Sequence, residues 1–207
     1  MPSVIEVLTK RLARGSRTPH GDGASVALAV EGGAMRGVIS AGMVSGLEEI
    51  GLAGAFDAVY GSSAGAINAA YFLAGQAALG TTIYYEDINT RNFIDHWRPL
   101  RGQPIVDLAF VIDEVMTRRK PLDIARVLAA ASPLSVLATD VLTGRSAVLS
   151  GFTSAQDLFS ALRAGATMPV VAGSPFAHRE GRYVDASLSE PIPVPAAFRC
   201  FGPRPPF

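Results

Sequence analysis

Runs of apolar residues alternate along this chain with helical spacing. "SVALAV" (25 to 30) is almost continuously apolar, the pattern of a strand covered on both faces. A glycine-rich turn follows. Ile39, Met43, Leu47 and Ile50 then recur at helical spacing with Glu48 and Glu49 directed elsewhere, which predicts an amphipathic helix stopping near Gly51. "FDAVYG" (56 to 61) reads as a second strand and residues 64 to 74 as a second helix. A βαβα opening implies a parallel sheet.

The middle, residues 80 to 132, is less regular, with helix-like segments around 106 to 117 and 122 to 131. Strand character returns at "LSVLATDV" (134 to 141), and the turn at Gly144 and Arg145 leads into "SAVLS". Ser154 with Asp157 resembles a capping box that opens a helix through about residue 164. "FAHREGRYVDAS" (176 to 187) predicts a hairpin turning at Glu180 and Gly181. The reading is an N-terminal segment (1 to 24), one domain (25 to 195) and an irregular tail rich in Pro and Arg (196 to 207).

Bulk properties narrow the function. A length of 207 residues suits one domain, and 18 basic against 18 acidic residues leave no field to attract nucleic acid. The single cysteine, Cys200, excludes a disulfide within the chain and fits a reducing compartment. Lys10, Arg11, Arg14 and Arg17 interrupt any secretory apolar region, and no stretch approaches the roughly 20 apolar residues of a membrane span. The expectation is a soluble cytoplasmic protein.

The candidate chemistry centres on "GSSAG" (61 to 65). Ser63 stands where the second strand meets the second helix, and Gly61 and Gly65 keep a sharp turn there free of clashes. This is nucleophile-elbow geometry, although a packing turn would use the same residues. The preceding turn, "EGGAMRG" (31 to 37), offers backbone amides at a helix N-terminus, suited to a developing oxyanion. The alternative of a phosphate-binding turn lacks Gly-Lys-Ser/Thr. Arg36 can orient this loop, meet an anionic head group or be an ordinary surface arginine. Of the three histidines, only His178 follows an aspartate (Asp140 or Asp157) in the order Ser, Asp, His, and its hairpin setting predicts a solvated side chain. Asp185, at the end of an apolar strand and followed by small residues, is the stronger candidate base.

Together these residues resemble the patatin-like phospholipases, serine acyl hydrolases with a Ser–Asp dyad. "EGGAMRG" matches the oxyanion motif, "GSSAG" the elbow, "RAGATMP" (163 to 169) a small-residue segment ending in proline, and "YVDASLSEPIPV" (183 to 194) the aspartate segment. The resemblance implies a three-layer α/β/α fold with a mainly parallel central sheet. It implies Ser63 as nucleophile, Asp185 as base, and an oxyanion hole at Gly32, Gly33 and Ala34, with Arg36 and Gly37 supporting the loop. No metal and no cofactor are implied, and the partner expected is a lipid or phospholipid ester. Three features depart from the family pattern. Ala34 replaces a third glycine, "DAS" replaces Asp-Gly-Gly or Asp-Gly-Ala, and the chain ends where relatives continue into another strand and helix. Two rivals therefore stand beside the dyad enzyme: a catalytically impaired lipid-binding or regulatory module, and a Ser-Asp-His esterase using His178. Self-association through an exposed sheet edge is a further expectation. So is peripheral membrane contact by residues 89 to 102, where Phe93, Ile94 and Trp97 lie among Arg91, Arg98 and Arg101.

Overall fold

A computed structural model of the chain describes residues 2–16 and 20–201. Strands β1 (Ala27–Val30), β2 (Ala58–Ser62) and β3 (Leu134–Asp140) pair in parallel at the centre of a mixed α/β domain. Beyond them β4 (Ser146–Leu149) runs antiparallel to β3, as does β6 (Gly181–Val184), which closes a hairpin with β5 (Phe176–His178).

The register of β3 decides where the site falls. Val136 and Leu137 pair with Gly61 and Ser62 of β2 on one edge and with Leu149 and Val148 of β4 on the other. Thr139 pairs with Ser146 of β4 and with Val184 of β6, so β6 lies on the same edge of β3 as β2. The two run in opposite directions, and their C-terminal ends meet. Ser63 and Asp185 are the residues that follow those ends.

Successive strand residues point to opposite faces. On one face Val59, Val136 and Ala138 join a core with α2 (Gly37–Glu49), α3 (Ala64–Leu73), α4 (Ala77–Glu86), α5 (Ile124–Ala129) and α6 (Ala155–Ala166). On the other, Ala58, Tyr60 and Leu137 pack with Ala186, Ala196 and Ala197. The last two belong to α7 (Val194–Phe201), which corrects the expectation of an irregular tail as far as residue 201. Pro195 falls in the first helical turn, where its missing N–H costs nothing. Arg199 stays half exposed and reaches back to Glu190 at 2.9 Å. Burial opposes ionisation of Glu190, but Arg199 and the Ala196 amide outweigh it and lower its pKa. Pro203, Pro205 and Pro206 lie outside the described residues.

Two further expectations change. The apolar face read on α2 looks outward, with Ile39 61% and Met43 66% exposed. The face that packs is Gly37, Ala41 and Val44, small residues that let α2 approach α3 and α4 closely. β1, read as a covered strand, ends the sheet and buries only Val30. Between them runs an apolar groove of about 350 Å³ along Leu28, Val30, Ile39, Met43 and Leu47, reaching Gly32.

At the N-terminus, α1 (Val4–Ala13) opens with a capping box of Ser3 and Glu6. Its Arg11 is buried, donating to Asp22 and Asp57 at 2.8 Å and to the Ala24 and Ala55 carbonyls at 2.7 Å. A buried guanidinium is tolerated only when so fully paired, and here it ties α1 to the lead-ins of β1 and β2.

Candidate active site

Ser63 has φ 52° and ψ −128°, a conformation that costs a non-glycine residue about 1–3 kcal/mol. The surroundings hold it there. A Cβ on Gly61 would stand 2.6 Å from the Ala66 nitrogen, and one on Gly65 2.5 Å from the Glu31 carbonyl, so both neighbours must be glycine for the turn to close. Ala66 N–H donates to the Ser63 carbonyl at 2.9 Å and starts α3. The Ser63 hydroxyl, projected off the turn, donates to Asp185 Oδ2 at 2.7 Å, with the two residues only 6% and 3% exposed.

Asp185 is fixed from four directions. Its amide donates to the Thr167 carbonyl at 2.9 Å, which gives "RAGATMP" its place beside the site. Its own carbonyl accepts from Thr139 Oγ1 at 2.8 Å. Oδ1 accepts from the Ser187 amide at 2.8 Å, leaving Oδ2 for Ser63. The residue after it begins a short 3-10 turn, Ala186–Leu188, with no positive φ, and its methyl is fully buried. An alanine there fits without strain.

The loop from Glu31 to Gly37 presses on the elbow. A Cβ at Gly32 would come within 2.5 Å of the Ser62 carbonyl and 2.8 Å of Ser63 Cβ. Gly33 takes φ 129°, open to glycine alone, while Ala34 takes φ 50°, which costs an alanine about 1–2 kcal/mol. Among the described residues the amides of Gly32, Gly33 and Ala34 donate to no protein acceptor. Arg36 is exposed and folds over Gly33.

His178 is elsewhere, and its expected exposure is corrected. It is 3% exposed because the β5–β6 hairpin packs on α6, and its Nδ1 lies 2.9 Å from Ser160 Oγ. Its Nε2 is 3.7 Å from Asp157, too long for a hydrogen bond. Asp140 instead caps its own turn through Thr143. Thr139 anchors Asp185 without having been signalled by any motif, whereas Thr167 lies within the "RAGATMP" segment. Asn68 also went unmarked, although it is the lone polar residue of an otherwise apolar α3.

Residues 28–198 match the patatin-like phospholipase family, and the chain belongs to that family of lipid acyl hydrolases. It is 28% identical over 179 residues to the uncharacterized protein YjjU of Escherichia coli (strain K12), an alignment that takes in 84% of this chain and 48% of that protein. The chain thus spans about half the length of the curated relative it matches. Among the described residues no helix is long and apolar enough to cross a membrane.

Proposed function

We propose that the chain hydrolyses carboxylic esters of lipids through a Ser63–Asp185 dyad and an acyl-enzyme. The hydroxyl-to-carboxylate contact of 2.7 Å on a strained strand-to-helix turn is the observation that carries this reading. Ser63 Oγ attacks the ester carbonyl as its proton passes to Asp185 Oδ2. The oxyanion is held by the amides of Gly32, Gly33 and Ala34, one such donor being worth about 2.7–4 kcal/mol. Collapse breaks the C–O bond and the alcohol leaves with the proton from Asp185. Water, giving its proton to Asp185, then attacks the acyl-enzyme and releases the acid, and the proton returns to Ser63.

The apolar groove that reaches Gly32 supports an acyl chain as the ester's acid part. Peripheral contact with a lipid surface falls to Trp97, 64% exposed, with exposed Leu100 and Arg101. Phe93 is buried in the core, and Arg98 donates to the Asn92 and Phe93 carbonyls, so neither takes part.

The test is labelling by a fluorophosphonate, which needs an activated serine, together with hydrolysis of a short-chain aryl ester. Ser63→Ala and Asp185→Asn are each expected to lower kcat by at least about a thousandfold, with the double variant no worse than Ser63→Ala, because nucleophile and base act as one unit. A folded protein that labels nowhere would favour the impaired lipid-binding module. Full activity in Asp185→Asn would remove the dyad.

A further inference from the structure

The geometry points to Asn68 as a positioning residue that sets the Gly32–Ala34 loop against Ser63; this rests on the roles proposed above for Ser63 and that loop. Asn68 is buried on α3, five residues beyond Ser63, where α2, α3 and α4 converge. Its Nδ2 donates to the Gly37 carbonyl at 2.9 Å and to Ser40 Oγ at 3.0 Å. A carbonyl can only accept, so the amide orientation is settled and Oδ1 is left to accept from Tyr84 Oη at 2.9 Å. Ser40 carries the link onward, its one proton lying between the Glu31 carbonyl at 2.9 Å and the Gly37 carbonyl at 3.0 Å.

Glu31 and Gly37 bracket the loop whose amides would meet the oxyanion. Inside it, the Arg36 amide bonds the Gly33 carbonyl at 2.9 Å and the Gly37 amide the Ala34 carbonyl, internal bonds that shape the turn without fixing where it sits. The loop's placement is therefore governed by its ends, and the Asn68 network holds both. The connection is short, because Asn68 lies on the helix that Ser63 caps, five residues on. A Cβ on Gly37 would stand 2.6 Å from Tyr84 Oη and 2.9 Å from Ala64 Cβ, so the end of the loop is pinned between α4 and the first residue of α3. An amide inside an apolar helix is costly unless every group is paired, and here each hydrogen it offers is used. A leucine would fill the space equally well but leave both ends of the loop free to drift relative to Ser63.

The experiment compares Asn68→Ala, the double variant Asn68→Leu/Tyr84→Phe and Ser63→Ala in the full chain. The double variant replaces both sides of the buried pair with apolar groups of similar shape and so preserves the fold. Hydrolysis of a short-chain aryl ester is measured below the thermal midpoint of every variant, and the rate of fluorophosphonate labelling alongside it. Misplacing a reacting group by about 1 Å costs on the order of 10²-fold, so kcat should fall by about 10- to 100-fold in both Asn68 variants. KM should stay within about threefold, since ground-state binding of the ester does not use the loop amides. Labelling should slow in parallel, and the double variant should melt within a few degrees of wild type while remaining slow. Wild-type kcat in either variant, or activity that recovers together with the midpoint in the double variant, would reduce Asn68 to a packing residue and overturn the inference. If Ser63→Ala keeps wild-type hydrolysis, the dyad itself has failed. Wild-type protein that neither hydrolyses nor labels takes both down.

Discussion

Ser63 and Ser160 are each within hydrogen-bond reach of a side chain able to take a proton, at 2.7 Å from Asp185 and 2.9 Å from His178. The partners are comparable; the backbones are not. Ser160 sits in the interior of α6, whereas Ser63 is held at positive φ on a turn that thrusts its hydroxyl away from the sheet. Beside Ser63 runs a loop whose amides at Gly32, Gly33 and Ala34 donate to no acceptor among the described residues. Beside His178 the carboxylate of Asp157, 3.7 Å away, is already claimed by Arg179 at 2.9 Å and by the Thr153 amide at 3.2 Å. The recess next to His178 measures about 610 Å³ against about 350 Å³ for the groove reaching Gly32, so volume does not mark the chemistry. A serine bonded to a base is common; a strained elbow facing free donors is not.

Gly32→Ala attacks the side of this comparison that the elbow depends on. The new methyl would meet the Ser62 carbonyl at 2.5 Å and displace loop or elbow, so kcat on an aryl ester should fall by about 10²- to 10³-fold. A wild-type rate would show that the loop does not bear on the reaction.

His178→Ala tests the other side. Its rate should stay within a few-fold of wild type, and a thousandfold loss in a folded protein would turn the second cluster into a triad and break the comparison. The cost belongs in stability, about 1–3 kcal/mol for a buried side chain and a partner left unsatisfied. The pH dependence has a definite sign. Burial chiefly, with Arg179 adding and Asp157 opposing, lowers the His178 pKa below its ordinary 6.5. As pH falls through about that value the unfolded chain takes up the proton first, so this contribution is complete above about pH 6.5 and is lost below it. Denaturant midpoints at pH 7.5 and 5.5 should therefore differ more for wild type than for His178→Ala.

Ala34→Gly relieves the one non-glycine residue at positive φ in the loop. It should raise stability by about 1 kcal/mol, or roughly 2–4 °C in Tm for a chain of this size, with kcat within a few-fold of wild type. No gain in a thermal melt would mean the strain is absorbed elsewhere. The smallest change is expected of Ser160→Ala, at about 0.5–1.5 kcal/mol and no effect on rate, because it removes one hydrogen bond from an ordinary helical position. Any loss of labelling at Ser63 in that variant would contradict the separation of the two clusters.

Much of this was legible in the chain. Gly61 and Gly65 flanking a serine after an apolar run marked the elbow; the demand at Gly61 comes from the turn itself, while Gly65 makes room for the Glu31 carbonyl of the neighbouring loop. The hairpin, expected to turn at Glu180 and Gly181 and found turning one residue earlier at Arg179 and Glu180, and the cap at Ser154 were equally local. Misreadings arose where packing partners, not spacing, decide which side is inside. Ile39 and Met43 have core-like spacing, yet α2 turns Ala41 and Val44 to its neighbours because small residues permit the closer approach. His178 looked exposed beside charged Arg179 and Glu180, yet alternation along β5 turns it onto α6. The Pro- and Arg-rich segment from residue 196 read as irregular, yet a helix through residue 201 accepts Pro195 in its first turn and lets Arg199 reach out to Glu190. Asn68 was not marked in the sequence, because what it bonds lies on α2 and α4.

The sequence by itself determined the local pieces: which runs become strands, where turns need glycine, and that Ser63 stands on one of those turns. These depend mainly on sterics and hydrogen bonding within a few residues, although the glycines at 32 and 65 answer to the contact between the two loops. It also carried an aspartate after a strand, 122 residues from that serine, but neither residue's neighbourhood says how far apart they end. That was decided by the register of β3, which seats the end of β6 against the end of β2 along one edge and so brings Asp185 to Ser63. Strand register is a property of the assembled sheet, set by which side chains can be buried together, and no local pattern contains it.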